Sequence, residues 1–212
     1  MKSPNPSIEE LQNSDRYELV AELEHRQIKE FVMEQITTES KLIKGFMIYQ
    51  GVMILVGLFF ATRPVVLAIR GNYEPLFWLF GAIVFAFTFL IIMHELLHLL
   101  ALKITGAPKI KIGGYFKKFI FYAEADRHVL NRQQFALVAL TPLVVVKVIT
   151  LIAIALTFGQ PVFYFWMFVM STHSLFCAGD IGMLAFFDRF PDSNVYTYDV
   201  QEKKRSYFFR EK

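Results

Sequence analysis

Four long apolar stretches, at about residues 45–62, 76–104, 135–158 and 162–187, divide the chain, and each is close to or above the ~20 helical residues that a bilayer's hydrocarbon core requires. They predict four transmembrane helices. Ahead of them, Asp15, Glu18, Glu22 and Glu24 alternate with Leu19, Val20, Leu23, Ile28, Phe31 and Val32, a spacing that predicts an amphipathic helix. Between the second and third stretches, Lys109-Ile110-Lys111-Ile112 runs into Gly113-Gly114 and then Phe119-Ile120-Phe121-Tyr122. Period-two alternation around a Gly-Gly turn predicts a short β-hairpin, with a basic interfacial loop as the alternative. The tail from Asp192 has no clear packing pattern and is expected to be flexible. The fold class expected is therefore an all-α polytopic membrane protein with a short hairpin or loop between helices 2 and 3. Its expected organisation is an amino-terminal segment (1–44), a four-helix membrane domain (45–187) and a carboxyl-terminal tail (188–212).

Composition agrees, with 55% hydrophobic and only 19% charged residues, outside the usual range of soluble domains. The net charge of +3 is small and the basic residues lie in the loops, so nucleic acid is not an expected partner. Lys103, Lys109, Lys111, Lys117, Lys118, Arg127 and Arg132 fall in or beside the loop after the second stretch, whereas Gly159-Gln160-Pro161, between the last two, carries no charge. The positive-inside rule makes the basic loop cytosolic, and both chain ends with it. A multi-pass cell-membrane protein with cytosolic termini is expected. The polar first 44 residues suggest no cleavable signal peptide, leaving the first span as its own insertion signal. A single cysteine, Cys177, excludes an internal disulfide framework and a multi-cysteine zinc module.

Within the second apolar stretch stands His94-Glu95-Leu96-Leu97-His98. On a helix, positions four apart share a face, so the two imidazoles can hold one Zn2+ ion while Glu95 acts on a water as general base. Ionisable groups inside a span are costly, an aspartate at a helix centre by about 2.5 to 3.5 kcal/mol, and so they mark function. A catalytic zinc needs a third protein ligand. Counted from Lys103 at the helical rise, His98 and His94 lie roughly 8 and 14 Å in, and Asp180 lies roughly 12 Å in from Asp188. Asp180 is the leading third ligand on this depth match. His173 is the rival, about 10 Å deeper than Asp180, and Glu124 and Asp126 in the loop are further alternatives. Gly179 is expected to permit close helix approach. Lys147, the other charge within a span, is expected to snorkel outward or to approach His173.

These residues resemble the site-2 protease clan of intramembrane zinc metalloproteases. The order of features over about residues 77–188 looks more closely like the small four-span membrane proteins of the putative zincin peptidase family. The resemblance implies zinc on His94, His98 and Asp180, with Glu95 as general base. Two features depart from the clan. The order here is Gly179-Asp180 where the clan has Asp-Gly, and the third helix reads Thr141-Pro142-Leu143-Val144-Val145 without the clan's Gly-Pro-x-x-Asn. The expected function is cleavage of a membrane-protein or peptide substrate near the cytosolic face, with the lipid bilayer as the other partner. A non-proteolytic, zinc-stabilised adaptor or chaperone is the alternative. A metal transporter fits less well, since the fourth stretch offers no ligand ladder beyond His173.

Overall fold

The computed structural model describes residues 5–37, 40–115 and 120–212. Among them are four helices long and apolar enough to cross a bilayer. These are α3 (Lys41–Ile69), α4 (Glu74–Ile104), α5 (Arg132–Leu156) and a segment Phe163–Arg189, which divides into α6 (Phe163–Phe176), α7 (Ala178–Ala185) and a closing 3-10 turn. Two shorter helices, α1 (Ile8–Leu11) and α2 (Ile28–Ile36), precede them. Both α3 and α4 end in a Schellman motif. Gly71 (φ 89°) and Gly106 (φ 91°) take the left-handed position, and the Asn72 and Ala107 amides reach back to the Leu67 and Leu102 carbonyls at 3.0 and 3.1 Å.

The fold is not all-α. A four-stranded antiparallel sheet of order β1-β6-β5-β4 joins β1 (Tyr17–Glu24), β4 (Leu130–Asn131), β5 (Val195–Val200) and β6 (Arg205–Glu211). The expected amphipathic helix is thus β1 followed by α2, and the expected flexible tail is the hairpin β5–β6. The misreading of β1 has a physical cause. Its register shifts between Leu19 and Ala21, and this bulge leaves Tyr17, Val20 and Leu23 three apart, a spacing that imitates a helical stripe. In the tail, Val195, Tyr196 and Tyr198 of β5 and Tyr207, Phe208 and Phe209 of β6 are strand formers, and β6 pairs both with β5 and with β1 at the other end of the chain.

The expected hairpin is present as β2 (Ile110–Tyr115) and β3 (Ile120–Ala125). Its turn is not Gly113-Gly114, because both glycines lie inside β2, opposite Tyr122 and Phe121. A Cβ on Gly113 would sit 2.5 Å from the Tyr122 ring, so glycine there makes room for the aromatic across the ladder. The connecting residues 116–119, with Lys117 and Lys118, lie outside the described residues.

Contacts divide the chain into two compact units. The first takes residues 1–43, 95–141 and 179–212. Its main core is Leu23, Ala139, Leu184, Phe186, Phe187, Val195 and Phe208, with Phe31 stacked against Phe208. Each such aromatic contributes about 1.5 to 3 kcal/mol by leaving water. A second cluster, Ala101, Leu102, Ala125, Leu130 and Val138, fixes the end of α4 and the start of α5 to the hairpin.

The second unit takes residues 44–94 and 142–178, around Met53, Phe163, Met167 and Met170. Its outward side chains are large and apolar, among them Ile48, Leu55, Phe59, Phe77, Phe80 and Leu156, an exposure suited to lipid and not to water. Two hydrogen bonds engage polar side chains inside the unit. The Gln50 amide donates to Ser174 Oγ, and Ser174 Oγ–H donates to the Ser171 carbonyl. Lys147 neither snorkels outward nor meets His173. Its ammonium lies 3.5 Å from the Met170 carbonyl and over the Tyr49 ring, 5.1 Å from its centroid.

Candidate metal centre

His94, Glu95 and His98 lie on α4 just beyond a π-helical turn at Ala86–Leu90. Such a turn inserts one residue, about 100° of rotation, between the faces before and after it. All three side chains are buried, with 5, 6 and 6% of their surface exposed. Helical geometry puts the two histidines one turn apart on the same face. His94 is the last residue of its unit's share of the helix and Glu95 the first of the other's.

Within the first unit, both nitrogens of His98 are committed. Nδ1 lies 3.0 Å from the Val138 carbonyl and Nε2 lies 3.2 Å from Asp180 Oδ1. The Val138 carbonyl is available for a reason visible in the sequence. Four residues on stands Pro142, inside α5, and proline lacks the N–H that would close this helical hydrogen bond. The freed carbonyl accepts from His98 Nδ1, which leaves Nε2 as the nitrogen that faces the carboxylate. Asp180 itself sits in the first turn of α7, where the helix dipole favours a negative charge. Gly179 meets nothing within 4 Å at its Cβ position. The close approach belongs to Gly182, whose added Cβ would meet Val32 of α2 at 2.5 Å.

Within the second unit, His173 is almost fully buried and its Nε2 lies 3.1 Å from His94 Nδ1. Its Nδ1 is 3.7 Å from Cys177 Sγ, and one ligand atom from each of His94, His173 and Cys177 falls within 4.8 Å of the others. The depth count that set His173 apart from the histidine pair is thereby overturned. It treated residues 162–187 as one straight helix, whereas α6 ends at Phe176 and α7 begins at Ala178.

Glu124 and Asp126 serve the hairpin and not the histidine pair. Glu124 Oε2 lies 3.3 Å from His25 Nδ1, and Asp126 Oδ1 accepts from the Gln201 backbone N–H. His25 Nε2 faces Ser206 Oγ at 3.2 Å, and Ser206 donates to Asp199 Oδ1 at 2.6 Å. Burial raises the Glu124 carboxyl to about 7 and Asp199 to about 6, and lowers His25 to about 4. Both partners of the His25–Glu124 contact are therefore neutral near pH 6.

Two imidazoles and a carboxylate are a donor set that catalytic zinc takes, with a position left for water. The His98–Asp180 contact and the held Nδ1 atoms fit such an ion. Comparison with known families then gives one result. The profile of the family described as "Putative zincin peptidase" matches residues 87–195, just over half the chain, and the matched stretch contains His94, Glu95, His98, His173 and Asp180. No match was found among curated proteins or among solved structures.

Proposed function

Because the chain belongs to the putative zincin peptidase family, whose name carries a zinc-dependent peptidase activity, we propose that it is an intramembrane zinc metalloprotease. It cleaves peptide bonds of membrane-protein substrates near the cytosolic face. The observation that carries this reading is His98, buried in an apolar span, with Nδ1 held by Val138 and Nε2 turned to Asp180. His94 and His98 hold zinc with Asp180 as the third ligand. Bound zinc supplies a Lewis acid that polarises the scissile carbonyl and acidifies a water. Glu95 accepts the proton of the attacking water and returns it to the leaving amine nitrogen. Burial of these side chains strengthens each charge interaction among them. The cytosolic placement rests on the basic loop between α4 and α5 and on the positive-inside rule.

The test is Glu95→Gln, assayed on purified protein in liposomes with a mixture of synthetic single-span peptides, products being read by mass spectrometry. Cleavage should fall by about 10²- to 10⁴-fold, the usual worth of a general base, while zinc content stays unchanged. Cleavage by the natural chain and the variant at the same rate would remove Glu95 from its role, and a zinc-bound natural chain that cleaves none of the peptides would remove the peptidase reading. The latter result would leave the zinc-stabilised adaptor in its place.

A further inference from the structure

We propose that His173 is a positioning residue for zinc. It accepts the Nδ1 proton of His94 and thereby directs the His94 Nε2 lone pair at the metal. The proposal rests on the zinc reading above and extends it to a residue outside the ligand set.

A neutral imidazole carries one donor and one acceptor nitrogen, so a 3.1 Å contact between two such rings assigns a proton to one of them. If His94 binds zinc through Nε2, its Nδ1 must carry the proton, and His173 Nε2 must accept it. His173 then bears its own proton on Nδ1, which faces Cys177 Sγ at 3.7 Å. Cys177 donates its thiol proton to the His173 carbonyl, 3.4 Å away. The series ends on the backbone. Both rings are buried, at 5 and 1% exposure, so water does not compete for these contacts.

The same arrangement holds the other histidine. His98 Nδ1 donates to the Val138 carbonyl, so each imidazole of the pair is fixed at Nδ1 and presents Nε2. Metal-bound histidines commonly have such an outer partner, and its loss costs roughly 10- to 100-fold in metal affinity. For His98 the partner is backbone. For His94 it is a side chain, which substitution can remove.

The competing arrangement places a metal directly on His94, His173 and Cys177, whose ligand atoms lie within 4.8 Å of one another. It would make His173 itself a ligand. The two arrangements differ in stoichiometry and in which substitutions are tolerated.

The experiment is a zinc titration of the full-length protein in detergent micelles against a competing chelator, for the natural chain, His173→Leu and His173→Gln. His173→Leu should weaken zinc by about 10- to 100-fold and still bind one ion per chain at saturation. His173→Gln, whose amide oxygen can accept the same N–H, should return affinity to within a few-fold of the natural chain, a rescue that a purely structural role would not produce. Equal affinity in all three proteins would overturn the proposal. So would loss of the ion at saturation in both variants, which would make His173 a ligand. A natural chain that binds no zinc would overturn the underlying zinc reading, and that result is visible before any variant is made.

Discussion

Pro142 illustrates how a single residue acts on a histidine 44 positions away in the chain. By withholding an N–H from the Val138 carbonyl it hands that acceptor to His98 Nδ1. Pro142→Ala returns the competing donor, so zinc affinity should fall by about tenfold while helicity is kept, as a chelator titration with circular dichroism would read. Unchanged affinity would mean that the proline only shapes the helix. The ligand candidates are legible in the sequence because their signals are local. His94 and His98 are one helical turn apart, and Asp180 is the carboxylate at matching depth. The roles of Pro142 and His173 are not legible, since each depends on which neighbouring helix meets it. The break at Cys177 also defeats a count along a straight axis.

The hairpin β2–β3 is held to the four-stranded sheet through a buried polar cluster instead of a continuous ladder. His25 follows β1, Glu124 belongs to β3, Asp199 to β5 and Ser206 to β6. Glu124 has a folded-state value of about 7, above its ordinary 4.5, so its contribution is fully present below about pH 4.5 and is lost as pH rises through 7. His25, lowered to about 4, acts in the opposite sense, and its contribution is lost as pH falls from 6.5 toward 4. Asp199 completes its change near 6. Between about pH 6 and 8 the falling term is therefore mainly that of Glu124. Thermal unfolding in detergent should give a midpoint that declines across this window in the natural chain and much less in Glu124→Gln. Parallel declines would assign the slope to other groups. The hairpin's strands are legible from period-two alternation, but its turn is not. Gly113-Gly114 has the chemistry of a turn, and the need to seat Tyr122 is a tertiary fact. The pairing of β1 with β6 joins residues about 190 apart, beyond the reach of any local pattern.

At the scale of the molecule, the four apolar helices and the lipid-suited surface of the second unit describe a multi-pass membrane protein. The proposed orientation rests on the basic loop between α4 and α5. Asn72, after α3, should lie outside and Lys203, between β5 and β6, inside. Buried Cys177 leaves the natural chain as a blank. An impermeant maleimide applied to intact cells should therefore label Asn72→Cys, and should label Lys203→Cys only after permeabilisation. The reverse pattern would invert the topology and move the proposed cleavage to the other face. The central claim, however, is the metal. Zinc per chain, measured by elemental analysis of protein purified without chelators, should be one for the natural sequence and close to none for His98→Ala and Asp180→Ala. A natural chain free of zinc, or variants that retain it, would contradict the account.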